Sequence, residues 1–176
     1  MTVFDRDTWR TPEYVFNWLL YRFHMIEVDG CANPQNALYP DYIGQGGLAE
    51  NFLDFDVEIL DRKFGGATGI FVNPPYSDVT PFIKQAKRLR DNGHLVVMLL
   101  NNDKSTQWYQ NHIHNVANEV IDIIGGRIAF VHPITGNEIK GNSKGQMVVV
   151  FDPTMEDFVT RSVSLDFVKK VGGYDF

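Results

Sequence analysis

A chain of 176 residues with 44% hydrophobic and 13% aromatic residues has enough apolar material for one substantial core, so we expect a single domain spanning residues 1–176. A formal net charge of −6 excludes a polyanion-binding surface spread over the whole molecule. Any contact with nucleic acid would have to come from a local basic face. The one cysteine, Cys31, has no partner for an internal disulfide, and no leader-like or membrane-length apolar run occurs, which predicts a cytoplasmic protein with no membrane contact.

The first half of the chain predicts a helix followed by two strands. Residues 11–23 open with Thr-Pro and repeat apolar side chains at helical spacing, which predicts an amphipathic helix. Residues 25–29 predict a short strand that runs into a loop rich in turn-forming residues. Residues 69–72 predict a second strand, because the two prolines that follow cannot continue a sheet ladder. Asn73 is therefore expected at the carboxyl end of a strand.

Helices and strands alternate after this point. A helix is predicted with Ser77 or Asp78 as its cap. Its inner face is predicted to carry Phe82, Ile83, Ala86 and Leu89. Residues 94–100 are typical of a buried strand in a parallel sheet, and the pattern repeats as a helix over 105–117 and a strand over 120–124. The alternation predicts an α/β fold with helices on both faces of a mostly parallel sheet.

The last part of the chain predicts antiparallel pairing. Residues 127–131 and 146–151 have the composition of two strands that pair across the polar loop 132–145. From residue 152 onward, the weaker pattern indicates a short helix and a final edge strand. We therefore expect the mostly parallel sheet to carry an antiparallel edge strand.

The most informative segment is Asn73-Pro74-Pro75-Tyr76, called the NPPY motif below. It is predicted to lie where open α/β sheets bind ligands, outside the carboxyl end of a strand. The Asn73 amide oxygen and the Pro74 carbonyl can each accept one N–H of an exocyclic amine, which directs the nitrogen lone pair at a methyl donor. Proline fixes φ and removes a competing donor, while Tyr76 offers a stacking face worth about 1–3 kcal/mol to an extruded base. The alternative is an ordinary turn, since all four residues are turn-compatible.

Further segments in a matching order make the chain resemble the phage-type DNA N6-adenine methyltransferases, the small Dam-like family of phages and prophages. The segments are WRTP at 9–12, VDGCA at 28–32, NPPYS at 73–77, LVVMLL at 95–100 and GRIAF at 126–130. The family implies a Rossmann-like fold dependent on S-adenosylmethionine. It also implies methyl transfer to the N6 amine of adenine in double-stranded DNA, with the target adenine flipped out of the duplex.

Positions that match the family imply a site. The catalytic residues would be Asn73, Pro74, Pro75 and Tyr76. The cofactor would be held by Trp9, Thr11, Pro12, Asp29, Gly30, Cys31 and Ala32. An acidic-aromatic pair is expected before the catalytic strand to hold the cofactor adenine. Both Asn51-Phe52 and Asp54-Phe55 fit this description, and we prefer Asp54 and Phe55. The chain departs from the family pattern in two ways: no Gly-x-Gly fingerprint follows its first strand, and the segment between Asp29 and Asn73 is short for two more βα units.

Contacts with DNA are predicted in the long polar loop. The candidate residues are Lys140, Asn142, Ser143 and Lys144, which can follow a phosphate backbone or enter a groove. The cations at 84–90 are interpreted as a solvated helix face instead. No metal is expected, because no Cys/His cluster has zinc spacing.

Two alternatives remain open from the residues. The same tetrapeptide serves methylation of RNA or of protein glutamine, and a catalytically inactive DNA-binding protein can retain a methyltransferase fold. Nothing in the residues selects a recognition sequence, an oligomeric state, or a role in restriction-modification over one in regulation.

Overall fold

A six-stranded sheet runs through the computed structural model, which describes residues 9–176. The strands are β1 (Ile26–Asp29), β2 (Gly69–Val72), β3 (Leu95–Asn101), β4 (Glu119–Ile124), β5 (Gln146–Phe151) and β6 (Val159–Ser164). The helices of this part of the chain are α1 (Glu13–Arg22), α2 (Glu58–Phe64), α3 (Thr80–Asp91), α4 (Gln107–His112) and α5 (Leu165–Gly172). The fold is therefore mixed α/β, as predicted.

Alternation along the strands divides the core between the two faces of the sheet. The even-numbered residues of β3 from Val96 to Leu100 pack in a core with the inner side chains of α3. The odd-numbered residues from Leu95 to Leu99 pack in a second core with α1 and α5. Helices cover both faces, which confirms that part of the prediction.

The antiparallel strand lies inside the sheet. The spatial order is β1-β2-β3-β5-β4-β6, and β5 is antiparallel to both of its neighbours, β3 and β4. The other neighbouring pairs are parallel. The prediction of an antiparallel edge strand is therefore wrong about position. The physical reason is that every residue of β5 is buried, and a strand of this kind needs a hydrogen-bonding partner on each side.

Residues 127–131 were the predicted partner of β5, and this prediction is wrong. In the structure this segment makes isolated bridges between Val131 and both Arg10 and Glu138. Its apolar side chains, Ile128 and Phe130, pack instead into the core beside α1 and α5. Alternate apolar residues can therefore be buried in this way although the segment forms no hydrogen-bonded ladder with β5.

Several element bounds also differ from prediction. Helix α3 begins at Thr80 behind Val79, without a side-chain cap, so the prediction of Ser77 or Asp78 as the cap is wrong. The proline in its first turn needs no N–H partner and already has helical φ, which favours this start. Helix α4 is shorter than the predicted 105–117, since Asn115 has a φ of 58°. The final edge strand β6 precedes α5, the reverse of the expected order.

Parallel pairing aligns three strand ends at one edge. Because β1, β2 and β3 are parallel, Asp29, Asn73 and Asn101 lie at the same edge of the sheet. The antiparallel β5 starts at this edge, and its first residue, Gln146, pairs with Asn101. Polar residues from four strands are therefore gathered where the buried strands end.

A glycine allows the close packing of α5 on α1. A Cβ on Gly172 would lie 1.8 Å from the backbone oxygen of Tyr14. Gly172→Ala is expected to lower the free energy of unfolding by about 2–3 kcal/mol, because the two helices must move apart. Urea denaturation followed by circular dichroism measures this change. Gly145→Ala is the control, since a Cβ there meets no atom within 4 Å. Equal midpoints for the two variants would contradict the prediction.

Candidate active site

A cavity of about 420 Å³ opens beside the NPPY motif. Its wall consists of Trp9, Asn73, Pro74, Tyr76, Ser77, Asn101, Phe130, Asn142, Ser143 and Lys144. We call it the base cavity. The motif is therefore more than a turn that ends a strand, because it forms one side of a space within the range typical of ligand pockets, ~300–1,000 Å³.

The polar loop contributes to the base cavity in part. Asn142, Ser143 and Lys144 lie in the cavity wall, whereas Lys140 is exposed and lies outside it. Asn142 holds the loop in place, because its Nδ2 donates to the Ile128 oxygen at 3.1 Å and its Oδ1 accepts from the Lys144 N–H at 3.1 Å. Asn142 thus has a local structural role, and Lys144 is the cation of the cavity wall.

Thr11 orients the amide of Asn73. Nδ2 of Asn73 donates to Oγ1 of Thr11 over 3.0 Å, and Thr11 is itself buried. Since the nitrogen side of the amide is held in this way, its oxygen is the side that can accept a hydrogen bond in the cavity. Thr11 was predicted to bind the cofactor, and the structure places it in contact with the catalytic candidate Asn73.

Tyr76 turns its hydroxyl away from the cavity mouth. The hydroxyl lies 3.1 Å from the Leu99 carbonyl oxygen and 3.2 Å from Oε1 of Gln146. Its ring meets Phe130 edge to face, with centroids 6.3 Å apart. Burial raises the pKa of the phenol, so the hydroxyl stays a hydrogen-bond donor. The part of Tyr76 available to a ligand is its aromatic ring.

A second, more open cavity of about 220 Å³ lies on the other side of the motif. It is lined by Gly30, Cys31, Ala32, Asn33, Asn36, Ile43, Gly44, Glu50, Asn51, Phe52, Asn73, Pro75 and Phe82. We call it the β1 cavity. Asn73 lines both cavities, so this residue belongs to the wall of each.

The two candidate acidic-aromatic segments differ in position. Asn51 and Phe52 line the β1 cavity, and the Phe52 ring stacks on Phe82 with centroids 5.9 Å apart. Asp54 is exposed, Phe55 packs against the core, and neither belongs to the wall of the two cavities described here. Glu50, which the sequence reasoning did not single out, lies in the wall beside Asn51 and Phe52. The sequence feature that could have identified Glu50 is its position directly before the candidate pair Asn51-Phe52.

Asp29 is a buried carboxylate at the end of β1. Its two oxygens accept from the backbone N–H groups of Cys31, at 3.4 Å, and Leu38, at 3.1 Å. Burial raises the pKa of this carboxyl to about 7, while these two N–H groups and the charge of Arg10 act to lower it. A small recess joins Asp29 to Trp9, Thr11 and Asn73. A cation bound here would stabilise the ionised form of Asp29.

The turn after Asp29 approaches the sheet closely. A Cβ on Gly30 would lie 2.9 Å from Cγ2 of Ile70, and one on Gly44 would lie 1.7 Å from the oxygen of Ala32. Glycine at these two positions therefore allows the turn to pack closely against β2 and against the neighbouring loop. Pro12, the remaining cofactor candidate, is buried at the start of α1.

Within residues 9–176, no three His, Cys, Asp or Glu side chains are arranged to hold a metal ion. Across the same residues, each helix is too short or too polar to cross a membrane.

Known proteins similar to this chain share one description. The model of the family DNA N-6-adenine-methyltransferase (Dam) matches residues 1–173. A DNA N-6-adenine-methyltransferase of Haemophilus phage HP1 (strain HP1c1) is 34% identical over 151 residues, which is 85% of this chain and 80% of the phage protein. A protein of the same description from Escherichia phage T1 is 29% identical over 171 residues, 89% of this chain and 67% of that protein. The family match includes every residue of both cavities.

The raised pKa of Asp29 predicts a pH dependence of stability. Its carboxyl has a pKa of about 7 in the folded chain, against an ordinary value of 3.8. Folding therefore takes up a proton between these pH values, and this group makes the free energy of unfolding fall as pH rises from about 4 to about 7. Asp29→Asn is expected to remove this component. Urea unfolding of both proteins across that range measures it, and a difference between them that is independent of pH would contradict the assignment.

Proposed function

The chain belongs to the DNA N-6-adenine-methyltransferase (Dam) family, and we propose that the two cavities beside Asn73 hold the two reactants of its reaction. The protein is an adenine-specific DNA methyltransferase, which requires a methyl donor and DNA as substrates. The proposed donor is S-adenosylmethionine, bound in the β1 cavity of a Rossmann-like fold. The observation that carries this proposal is the position of Asn73 in the walls of both cavities.

The base cavity suits an adenine turned out of double-stranded DNA. An enzyme that modifies a base within a duplex has to reach an atom that stacking and pairing conceal, and extrusion solves this problem. Trp9, Tyr76 and Phe130 give the cavity aromatic surface on which a base can stack. Lys144 supplies positive charge in the same wall, where a phosphate backbone would pass. A local cation of this kind is compatible with the acidic net charge of the chain.

Asn73 and Pro74 activate the amine. The lone pair of the adenine amine is delocalised into the ring, which makes the nitrogen a poor nucleophile. Oδ1 of Asn73 and the carbonyl oxygen of Pro74 each accept one of its N–H groups, so that the lone pair is directed across Asn73 toward the β1 cavity. The bond from Asn73 to Thr11 supports this role, because it selects the oxygen side of the amide for the substrate.

S-adenosylmethionine supplies a methyl group on a sulfonium sulfur that an amine can displace directly. The protein contributes orientation and the exclusion of water, and the surplus proton of the methylated amine passes to solvent. The hydroxyl of Tyr76 is bonded toward the protein interior, so Tyr76 contributes its aromatic ring and does not act as a general base.

Residues of the β1 cavity, together with Asp29 in the neighbouring recess, would hold the parts of S-adenosylmethionine. The Glu50 carboxylate would accept hydrogen bonds from the ribose hydroxyls, and Phe52 would pack against the adenine ring. Asp29, beside the close-packed Gly30 turn, would pair with the amino group of the methionine part. Asn51-Phe52 with Glu50 thus replaces Asp54-Phe55 as our preferred segment, because only the former lines the cavity.

The alternatives fit the observations less well. Both similar phage proteins are named DNA N-6-adenine-methyltransferase, which favours DNA as the substrate over RNA or protein glutamine. A catalytically inactive DNA-binding protein has no need of an oriented Asn73 amide between two cavities.

Replacement of Asn73 tests the catalytic role. Asn73→Ala is expected to lower kcat about 100-fold or more, because one of the two acceptors on the amine is lost, while the protein remains folded. Transfer of labelled methyl from S-adenosylmethionine to DNA measures kcat. Asn111→Ala, on the exposed side of α4, is the matched control and should keep native activity. Near-native turnover by Asn73→Ala would refute the mechanism.

A matched pair of exposed carboxylates tests the cofactor site. Glu50→Gln is expected to weaken S-adenosylmethionine binding about 10-fold, since hydrogen bonds to a charged acceptor are lost. Asp54→Asn makes the same chemical change outside the cavity and should leave the affinity unchanged. Isothermal titration calorimetry with each variant gives the two dissociation constants. The reverse result would return the assignment to Asp54 and Phe55.

A further inference from the structure

Three side chains are linked by hydrogen bonds along the wall of the base cavity. The Tyr76 hydroxyl lies 3.2 Å from Oε1 of Gln146, and Nε2 of Gln146 donates to Oδ1 of Asn101 at 2.9 Å. Gln146 is 1% exposed, whereas Tyr76 and Asn101 line the cavity. The buried amide of Gln146 therefore connects two residues that a base would contact.

This linkage fixes the orientation of both amides. Oε1 of Gln146 faces the protonated Tyr76 hydroxyl, whose one proton is shared between this oxygen and the Leu99 carbonyl oxygen. The nitrogen of Gln146 then faces Asn101 and occupies the oxygen of that residue. What Asn101 presents to the cavity is its amide nitrogen, which carries two N–H groups.

The backbone holds this arrangement rigidly. Asn101 and Gln146 are directly opposite each other in the pairing of β3 with β5, and both strands lie inside the sheet. Gln146 is also the one polar residue of an otherwise apolar strand, Gln146–Phe151. A buried amide is tolerated when both of its ends have partners, and here the partners are two residues of the cavity wall.

We propose that Asn101 is a specificity-determining residue, whose Nδ2 donates a hydrogen bond to N1 or N7 of the extruded adenine. This inference rests on the function proposed above for the base cavity. N1 is bonded to the carbon that carries the amine, N7 lies one atom further away on the other side of the amine, and both are unprotonated acceptors. The bond would fix the rotation of the base and bring its amine to Asn73.

The pattern of donors and acceptors excludes two of the four bases. Guanine and thymine carry a carbonyl oxygen where adenine has its amine, and this oxygen would oppose the oxygens of Asn73 and Pro74. If Nδ2 of Asn101 bonds N1, the N–H of guanine N1 or thymine N3 would also oppose this donor. If it bonds N7, thymine offers no acceptor there, and guanine is opposed by its carbonyl oxygen alone. The cavity thus selects an amine next to a bare ring nitrogen, because a mismatched base leaves polar groups unpaired.

The test combines changes in the protein with changes in the base. The methylated site is first mapped by sequencing DNA from cells that express the protein. Duplexes with that site then carry adenine, 1-deazaadenine or 7-deazaadenine at the target position, so that one ring acceptor at a time becomes a C–H. The kcat/KM of methyl transfer is measured for the native protein and for the variants Asn101→Ala and Asn101→Asp.

The native protein is expected to methylate one deaza duplex about 10- to 100-fold less efficiently than the adenine duplex. Both variants should lose a similar factor on adenine and should treat that analogue and adenine alike. Asn101→Asp retains an oxygen for Gln146 but has no N–H to donate, so it separates the missing donor from a packing defect. Effects of the analogue on the duplex itself cancel between native and variant proteins.

Asn111→Ala, an exposed asparagine exchanged in the same way, should discriminate as the native protein does. The inference is wrong if the native protein treats both analogues like adenine, or if the Asn101 variants discriminate as strongly as the native protein. In both cases methylation of the adenine duplex would leave the proposed function intact. Failure of the native protein to methylate that duplex would overturn the proposed function together with this inference.

Discussion

Helices on both faces of the sheet leave only the ends of its strands open to a ligand. The strands that form the middle of the sheet are apolar on both sides, and their side chains divide between two cores. Polar groups within these cores would need buried partners, so chemistry is confined to the edge where the backbone leaves the sheet. Parallel pairing of β1, β2 and β3 brings Asp29, Asn73 and Asn101 to one such edge. The site is a consequence of how the core is covered.

The antiparallel strand β5 brings its first residue to this edge, whereas a parallel strand at the same position would begin at the opposite edge of the sheet. Because β5 enters the sheet at the carboxyl end of β3, its first residue, Gln146, meets the last residue of β3, Asn101. The loop that leads into β5 also brings Lys144 to the base cavity. One reversed strand therefore supplies both a buried amide and a cation to a site that otherwise uses strand ends.

Two hydrogen bonds between side chains determine which atoms the amides of the site present. Thr11 holds the nitrogen of Asn73 and leaves its oxygen free of this bond, whereas Gln146 holds the oxygen of Asn101. The same chemical group thus serves as an acceptor on one wall and as a donor on another. In the function that we propose, this arrangement would complement an amine beside a bare ring nitrogen, as on the edge of adenine that carries N6.

The amino-acid sequence alone determined the elements whose pattern is local. The apolar run before two prolines predicted β2 and the position of Asn73, and the NPPY motif with its companion segments predicted the family that the comparisons show. Sequence reasoning failed where a contact joins distant residues. The partners of β5 depend on which strands can bury it on both sides. Our proposal of Glu50 and Phe52 in place of Asp54 and Phe55, which remains a prediction, depends on how the loop before α2 folds against α3. Thr11 lies 62 residues from Asn73, and Gln146 lies 45 from Asn101. Only tertiary structure joins such pairs, because no local pattern encodes the direction in which a side-chain amide is held.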